Sequence, residues 1–173
     1  ATLAPPVGVA SLVSGDKIYR AGLIATQTLT NAGQSWVLEG RPLRPTRRIL
    51  IFIGMQGALG VIGLLGLILM GPWVTSVAFG PKLAATPQAC AAYGVAYLLL
   101  CVNSSFRVSL IVPWLGARAA LLCSVAAVTI GIPVMAALCL TVGAAGAAAG
   151  LAAGEASSLF VGMILLLRRR AIK

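Results

Sequence analysis

The sequence predicts an all-α membrane protein, a polytopic helix bundle with about five transmembrane helices. Hydrophobic residues make up 60% of its 173 residues and charged residues only 9%, against about 25% charged residues in typical soluble domains. Apolar segments of roughly 20 residues, long enough to cross a bilayer, recur along the chain. Basic residues are concentrated on alternate connections between these segments, which is the positive-inside pattern of a chain that crosses a membrane repeatedly.

Four of the predicted helices are strongly apolar, and they cover residues 49–70, 89–111, 117–140 and 146–167. Gln56 is the one strongly polar residue of the first of these segments. We expect Gly71 and Pro72 to end that helix, because proline lacks the backbone donor that a continuing helix needs. We expect Pro133 to kink the helix at 117–140 for the same reason.

Residues 16–38 form the fifth predicted helix, which is less apolar and has one polar face. At about 100° per residue, its main polar side chains fall within about 60° of one another. These side chains are Asp16, Arg20, Gln27, Asn31 and Gln34. The opposite face holds Ile18, Ala25, Leu29, Ala32 and Trp36. The helix either spans the membrane or lies along its surface.

The distribution of basic residues favours a spanning helix at 16–38. Five spans place the connections 39–48 and 106–118 and the C-terminus in the cytoplasm, together with most arginines. The basic residues on that side are Arg41, Arg44, Arg47, Arg48, Arg107, Arg118, Arg168, Arg169, Arg170 and Lys173. Lys17, Arg20 and Lys82 then lie on or near the outer side. A polar face on a spanning helix is costly unless it meets water or polar groups, so we expect it to line a hydrophilic cavity.

Glu155 is the one acidic residue well inside an apolar segment. Small or mildly polar residues such as Ala152 and Ser158 share its helix face, so we expect the carboxylate to point into the bundle. Two roles are open. In the first, Glu155 exchanges protons during transport, because an apolar interior disfavours an ionised carboxylate. Alternatively, it makes a structural hydrogen bond or an ion pair with a cation such as Arg20, and this role is favoured.

Glycines recur with helical spacing in two of the predicted helices. One row consists of Gly54, Gly57, Gly60, Gly63 and Gly66, and the other of Gly146, Gly150 and Gly154. Small residues let helix backbones approach closely in lipid, where no hydrophobic force drives association. We therefore expect tight packing at both rows, with sliding or bending of helices during transport as the functional alternative.

The sequence lacks the residue patterns of enzymes, metal sites and nucleic-acid-binding proteins. It has no His, no paired cysteines with metal-ligand spacing, and none of the common nucleophile or phosphate-loop motifs. The net charge of +10 resides at segment ends rather than in a basic stripe with interleaved aromatic residues. We therefore expect no enzymatic activity, no cofactor, no metal and no nucleic-acid partner.

Four stretches together resemble the polysaccharide-lipid flippases of the multidrug/oligosaccharidyl-lipid/polysaccharide exporter superfamily. Residues 7–21 (VGVASLVSGDKIYRA) resemble the segment that enters the eighth helix of those proteins. Residues 77–82 (VAFGPK) resemble a loop that follows, 115–118 (LGAR) the turn before the eleventh helix, and 142–148 (VGAAGAA) the start of the twelfth. The resemblance covers nearly the whole chain and implies the C-terminal lobe of a two-lobed exporter.

The resemblance implies a flippase of the bacterial inner membrane that moves a polyprenyl-diphosphate-linked oligosaccharide, for surface polysaccharides such as O-antigen, by alternating access. Arg20 would then face the anionic head group, and Gln27, Asn31 and Gln34 would bind sugar hydroxyls, since amides both donate and accept hydrogen bonds. The alternatives are a multidrug or metabolite antiporter of the same superfamily and a structural membrane subunit. We expect residues 1–173 to be a single transmembrane domain, a lobe or fragment that works with an N-terminal lobe or a second copy.

Overall fold

The computed structural model describes residues 6–38 and 47–171, which form five long helices. They are α1 (Pro6–Leu38), α2 (Arg47–Phe79), α3 (Pro87–Leu115), α4 (Ala117–Val142) and α5 (Ala144–Ala171). A short 3-10 turn at Pro81–Leu83 connects α2 to α3. The predicted all-α helix bundle is therefore confirmed for the part of the chain that the structure describes.

Four of these helices, α2 to α5, are long and apolar enough to cross a membrane. They correspond to the four apolar segments of the sequence, which confirms a membrane-type bundle. Helix α1 has 33 residues and is about 50 Å long, but its polar residues keep it out of this group. Its passage through the membrane stays a prediction.

Helix α2 does not end at Gly71 and Pro72, so that prediction was wrong. It continues through Pro72 to Phe79. Membrane helices tolerate proline better than soluble helices do. The buried Thr75 hydroxyl, one turn further on, donates to the Gly71 carbonyl (2.8 Å) and accepts from the Ala85 amide (3.0 Å). These bonds join the helix beyond Pro72 to the segment that follows it, but they do not replace the bond that Pro72 cannot donate to the Ile68 carbonyl.

Helix α3 also extends beyond its predicted end at residue 111. It contains a π-helical turn at Arg107–Ile111 and continues to Leu115. Gly116 alone connects it to α4 with φ 84°, a left-handed conformation that glycine adopts without strain. Arg107 was predicted to flank this connection, but it lies inside the helix, about 13 Å along the axis from Gly116.

The glycine row of α5 packs tightly against α4, as predicted. Gly146 faces the Leu138 carbonyl, Gly150 faces the backbone of Met135, and a Cβ on any of the row's glycines would press on α4. The row in α2 is different, because Gly60 and Gly63 face α3 whereas Gly54, Gly57 and Gly66 face open space. The prediction of close packing therefore holds for α5 and for only part of α2.

Helices α2, α3, α5 and α4 pack side by side in that order, and α1 lies against α2, α3 and α5. The packed face of α1 is built from small and hydroxyl-bearing residues. Tyrosine rings of α3 lie on its glycines, with Tyr93 on Gly15 and Tyr97 on Gly22. These contacts, together with the apolar clusters that contain Tyr19 and Val37, hold α1 in the bundle.

A buried hydrogen-bonded seam joins α1 to α2 and α3. The fully buried Gln56 donates its amide to the Thr30 hydroxyl (2.8 Å), which also lies 3.0 Å from the Ser104 hydroxyl. The Thr26 hydroxyl lies 3.1 Å from the Tyr97 hydroxyl. Thr26 and Thr30, which lower the hydropathy of α1, thus find partners inside the bundle. Gln27, Asn31 and Gln34 lie on a different face of α1 and are exposed.

The charges separate toward the two ends of the bundle. Exposed arginines mark one end, at the start of α2, the start of α4 and the end of α5, and they are Arg47, Arg48, Arg118, Arg168 and Arg169. Arg48 donates to the Trp36 carbonyl (3.2 Å) and lies over its ring. Lys82 and Lys17 mark the other end, where Lys17 lies over the Phe79 ring. The predicted basic residues Arg41 and Arg44 fall outside the described ranges.

Candidate substrate groove along helix α1

The predicted polar face of α1 lies on the outer surface of the bundle. Arg20, Gln27, Asn31 and Gln34 are all exposed, and the Arg20 side chain is 73% accessible. The packed face of the same helix is turned away from them and toward α2 and α3. The described part of the chain therefore encloses none of these four residues, although Arg20 and Gln27 each line an open cavity.

A cavity of about 760 Å³ lies between the first half of α1 and helices α4 and α5. We call it the Arg20 cavity. Its α1 wall carries Asp16, Lys17 and Arg20 beside Leu12 and Val13, and Tyr93 of α3 also lines it. Helices α4 and α5 supply an apolar wall with Met135, Ala136, Cys139, Leu140, Ala147 and Leu151. One side of the cavity is thus charged and the facing side is apolar, which suits an amphiphilic ligand.

Arg20 is paired within its own helix. Its Nε atom donates to Asp16 Oδ2 at 2.7 Å, an ion pair between residues four apart. The suggested partner Glu155 is therefore not the residue that neutralises it. Because this pair is exposed, its contribution to stability is small, and the guanidinium keeps donors free for another anion.

A second cavity, of about 320 Å³, lies further along α1. We call it the Glu155 cavity. Its polar lining comes from three helices, with Thr26 and Gln27 on α1, Asn103, Ser104 and Arg107 on α3, and Glu155 on α5. Opposite charges therefore face one small space between membrane-type helices. Among the described residues the structure records no ion pair between Arg107 and Glu155.

Hydrogen bonds hold the Glu155 carboxylate in place. Asn103 donates its side-chain amide to Glu155 Oε2. The Ser158 hydroxyl donates to Asn103 Oδ1 at 3.3 Å, which leaves the Asn103 amide nitrogen directed at the carboxylate. Glu155 thus makes the structural hydrogen bond that was one of its two predicted roles, and proton exchange stays a prediction.

Both cavities have walls from α1 and α5, and they follow one another along these two helices. These helices run in the same direction, because the three helices between them along the chain alternate in direction. Arg20 precedes Gln27 on α1 just as Leu151 precedes Glu155 on α5. Asn31 and Gln34 continue the same face of α1 beyond Gln27. We call this feature the α1–α5 groove.

Arg107 and Asn103 are site residues that sequence reasoning missed. Arg107 was interpreted as a charge of a cytoplasmic connection, and Asn103 was not singled out. The available signal was their spacing of four residues, which puts both on one face of a helix. No group of three or more His, Cys, Asp or Glu residues that could hold a metal occurs in the described part of the chain.

Comparisons with known proteins give no identity for this chain. No protein family, no curated protein and no solved structure matches it.

Proposed function

We propose that the chain is one lobe of a flippase that moves a polyprenyl-diphosphate-linked oligosaccharide across a bacterial inner membrane by alternating access. The observation that carries this proposal is the exposed polar face of α1. Arg20, Gln27, Asn31 and Gln34 lie on the surface of a bundle whose other long helices are apolar. Such residues are costly against lipid and mark a water-filled pathway or a polar partner.

The chemistry of the Arg20 cavity supports an amphiphilic substrate with an anionic head. The guanidinium of Arg20 offers planar paired donors that match phosphate oxygens. The apolar wall contributed by α4 and α5 offers a surface for the prenyl chain. Gln27, Asn31 and Gln34 lie beyond Arg20 on the same face and supply amide donors and acceptors for sugar hydroxyls.

The outward direction of the polar face supports a second lobe. Alternating access requires two bundles with a cavity between them, and the α1–α5 groove would form one wall of that cavity. In this arrangement the arginine-rich end lies in the cytoplasm, as the positive-inside rule requires, and the C-terminus lies with it.

Binding of short prenyl compounds to the purified chain tests the proposal. Farnesyl diphosphate should bind more tightly than farnesol by about tenfold or more, because the charge-assisted hydrogen bonds to Arg20 require the diphosphate. Arg20→Ala should remove this preference. Arg118→Ala, which removes an exposed arginine at the start of α4, is the matched control and should retain it.

Each alternative function predicts a different result. Tighter binding of a lipophilic cation such as tetraphenylphosphonium would favour the antiporter. Equal binding of farnesyl diphosphate and farnesol, unchanged in Arg20→Ala, would contradict the proposal and favour a structural subunit whose polar face packs on a partner helix.

A further inference from the structure

The Glu155 cavity holds two opposite charges that the proposed function does not use. Arg107 from α3 and Glu155 from α5 line the same space of about 320 Å³. At about 30 Å³ per molecule of liquid water, this volume corresponds to roughly ten waters. Charged residues within membrane-spanning helices are rare, and they mark functional sites by default.

The two charges are separate rather than mutually neutralised. Within residues 6–38 and 47–171 the structure records one ion pair, and it joins Asp16 to Arg20. Glu155 instead receives the Asn103 amide, and Asn103 is oriented by Ser158. The Glu155 carboxylate is therefore held in position before a ligand binds. Arg107 lines the same cavity, and its guanidinium keeps its donors available.

We propose that the Glu155 cavity binds a compact zwitterion, with its cationic end at Glu155 and its anionic end at Arg107. A zwitterion with an ammonium and a phosphate group matches both charges at once, whereas a simple cation or anion meets one attractive and one repulsive charge. Gln27 and Ser104 on the same lining supply further hydrogen-bonding groups. This chemistry occurs in free phosphoethanolamine and in the head group of phosphatidylethanolamine.

The Glu155 cavity is partly open, so either free phosphoethanolamine or a phosphatidylethanolamine head group could enter it. Apolar side chains from α1 and α3 complete its lining, and they are Leu23, Leu100, Val108 and Val112. Val112 is 44% exposed on the outside of the bundle, so the cavity borders a surface that lipid would cover. A head group entering from the membrane and a soluble molecule entering along the α1–α5 groove would meet the same pair of charges.

Titration of the detergent-purified chain with phosphoethanolamine tests the proposal without any substitution. We expect binding of one molecule per chain. Ethanolamine and inorganic phosphate, which each carry one of the two charges, should bind about tenfold more weakly. Equal affinity for the three compounds would overturn the proposal.

A second arm distinguishes the lipid from the soluble molecule. The chain is purified from vesicles of phosphatidylethanolamine and phosphatidylglycerol in equal parts, and its retained lipid is identified by native mass spectrometry. Selective retention of phosphatidylethanolamine assigns the site to the lipid. Binding of phosphoethanolamine without selective retention assigns it to a soluble zwitterion, and failure of both overturns the proposal.

Charge-neutralising variants locate the site. Arg107→Gln and Glu155→Gln should each weaken zwitterion binding about tenfold, while Arg118→Gln should leave it unchanged. Circular dichroism checks that each variant is folded. If a variant does not fold, the comparison of phosphoethanolamine with ethanolamine and inorganic phosphate on the unmodified chain still tests the proposal. If Arg107→Gln and Glu155→Gln lower only the unfolding midpoint and bind normally, the charges are structural and the proposal is wrong.

This test is independent of the flippase proposal. Phosphoethanolamine binding depends on Arg107 and Glu155, whereas farnesyl diphosphate binding depends on Arg20. Either measurement can fail while the other succeeds, so the results separate the two proposals.

Discussion

The contact between α4 and α5 gives a prediction whose size follows from the structure. Gly150 faces the backbone nitrogen and Cα of Met135 on α4. A methyl group on Gly150 would overlap atoms that cannot rotate away, so the two helices would have to separate. Gly57 on α2 is a matched control, because a methyl group there would meet nothing within 4 Å.

The free energy of unfolding should therefore respond differently to Gly150→Ala and Gly57→Ala. Overpacking costs about 1–3 kcal/mol, and alanine favours a helix over glycine by about 1 kcal/mol. The helix-propensity term is common to both variants and cancels in their comparison. Gly150→Ala should thus be less stable than Gly57→Ala by about 1–3 kcal/mol.

Reversible unfolding in mixed micelles, followed by circular dichroism as the denaturing detergent is increased, measures this difference. The unmodified chain provides the reference, and Gly57→Ala should match or exceed its stability. Equal stabilities for the two alanine variants would refute the close approach of α4 and α5 at Gly150.

Three further predictions concern function and topology. In the reconstituted two-lobe protein, Arg20→Lys should keep partial transport and Arg20→Ala should abolish it with membrane insertion intact, since a point charge still attracts phosphate; full transport by Arg20→Ala would exclude a binding role. If Glu155 couples transport to protons, Glu155→Gln should fold normally and flatten the dependence of transport on the pH gradient; retention of that dependence with lower thermal stability would leave only the structural role. A reporter fused after Lys173 should be active in the cytoplasm, because the arginine-rich end is expected there, and activity only in the periplasm would reverse the topology.

Most of the fold was predictable from apolar length and charge. Segments of this hydropathy have few alternatives to spanning helices, and the glycine spacing of α5 identified a tight contact. Helix ends were less predictable. Pro72 breaks an isolated helix pattern, yet α2 continues through it to Phe79. The contact between the Thr75 hydroxyl and the Ala85 amide, which holds the following segment against this extension, is a tertiary contact that the local pattern does not contain.

Of the candidate site, only the part contributed by α1 was predictable from the sequence. The polar face of α1 follows from the spacing of Arg20, Gln27, Asn31 and Gln34 alone. The pairing of Arg107 with the Glu155 cavity required knowing that α3 lies beside α5. Likewise, helical spacing left Thr26 and Thr30 off the outer polar face, but it could not supply their hydrogen-bond partners on α2 and α3.

The proposed groove is tested most directly by measuring whether water reaches the polar face of α1 in the membrane. Single cysteines at Gln27, Asn31 and Gln34 are compared with single cysteines at Ala25 and Ala32, which are exposed on the opposite side of the same helix. The native cysteines are first replaced, and they are Cys90, Cys101, Cys123 and Cys139. Labelling uses a water-soluble maleimide on intact membranes.

We predict rapid labelling at Gln27, Asn31 and Gln34 and slow labelling at Ala25 and Ala32, because thiolates form and react only where water reaches them. Detergent-solubilised protein should label at all five positions, which controls for cysteines that are blocked by packing. Equal labelling of the two faces in the membrane, or protection of all three polar positions, would contradict a water-filled groove along α1.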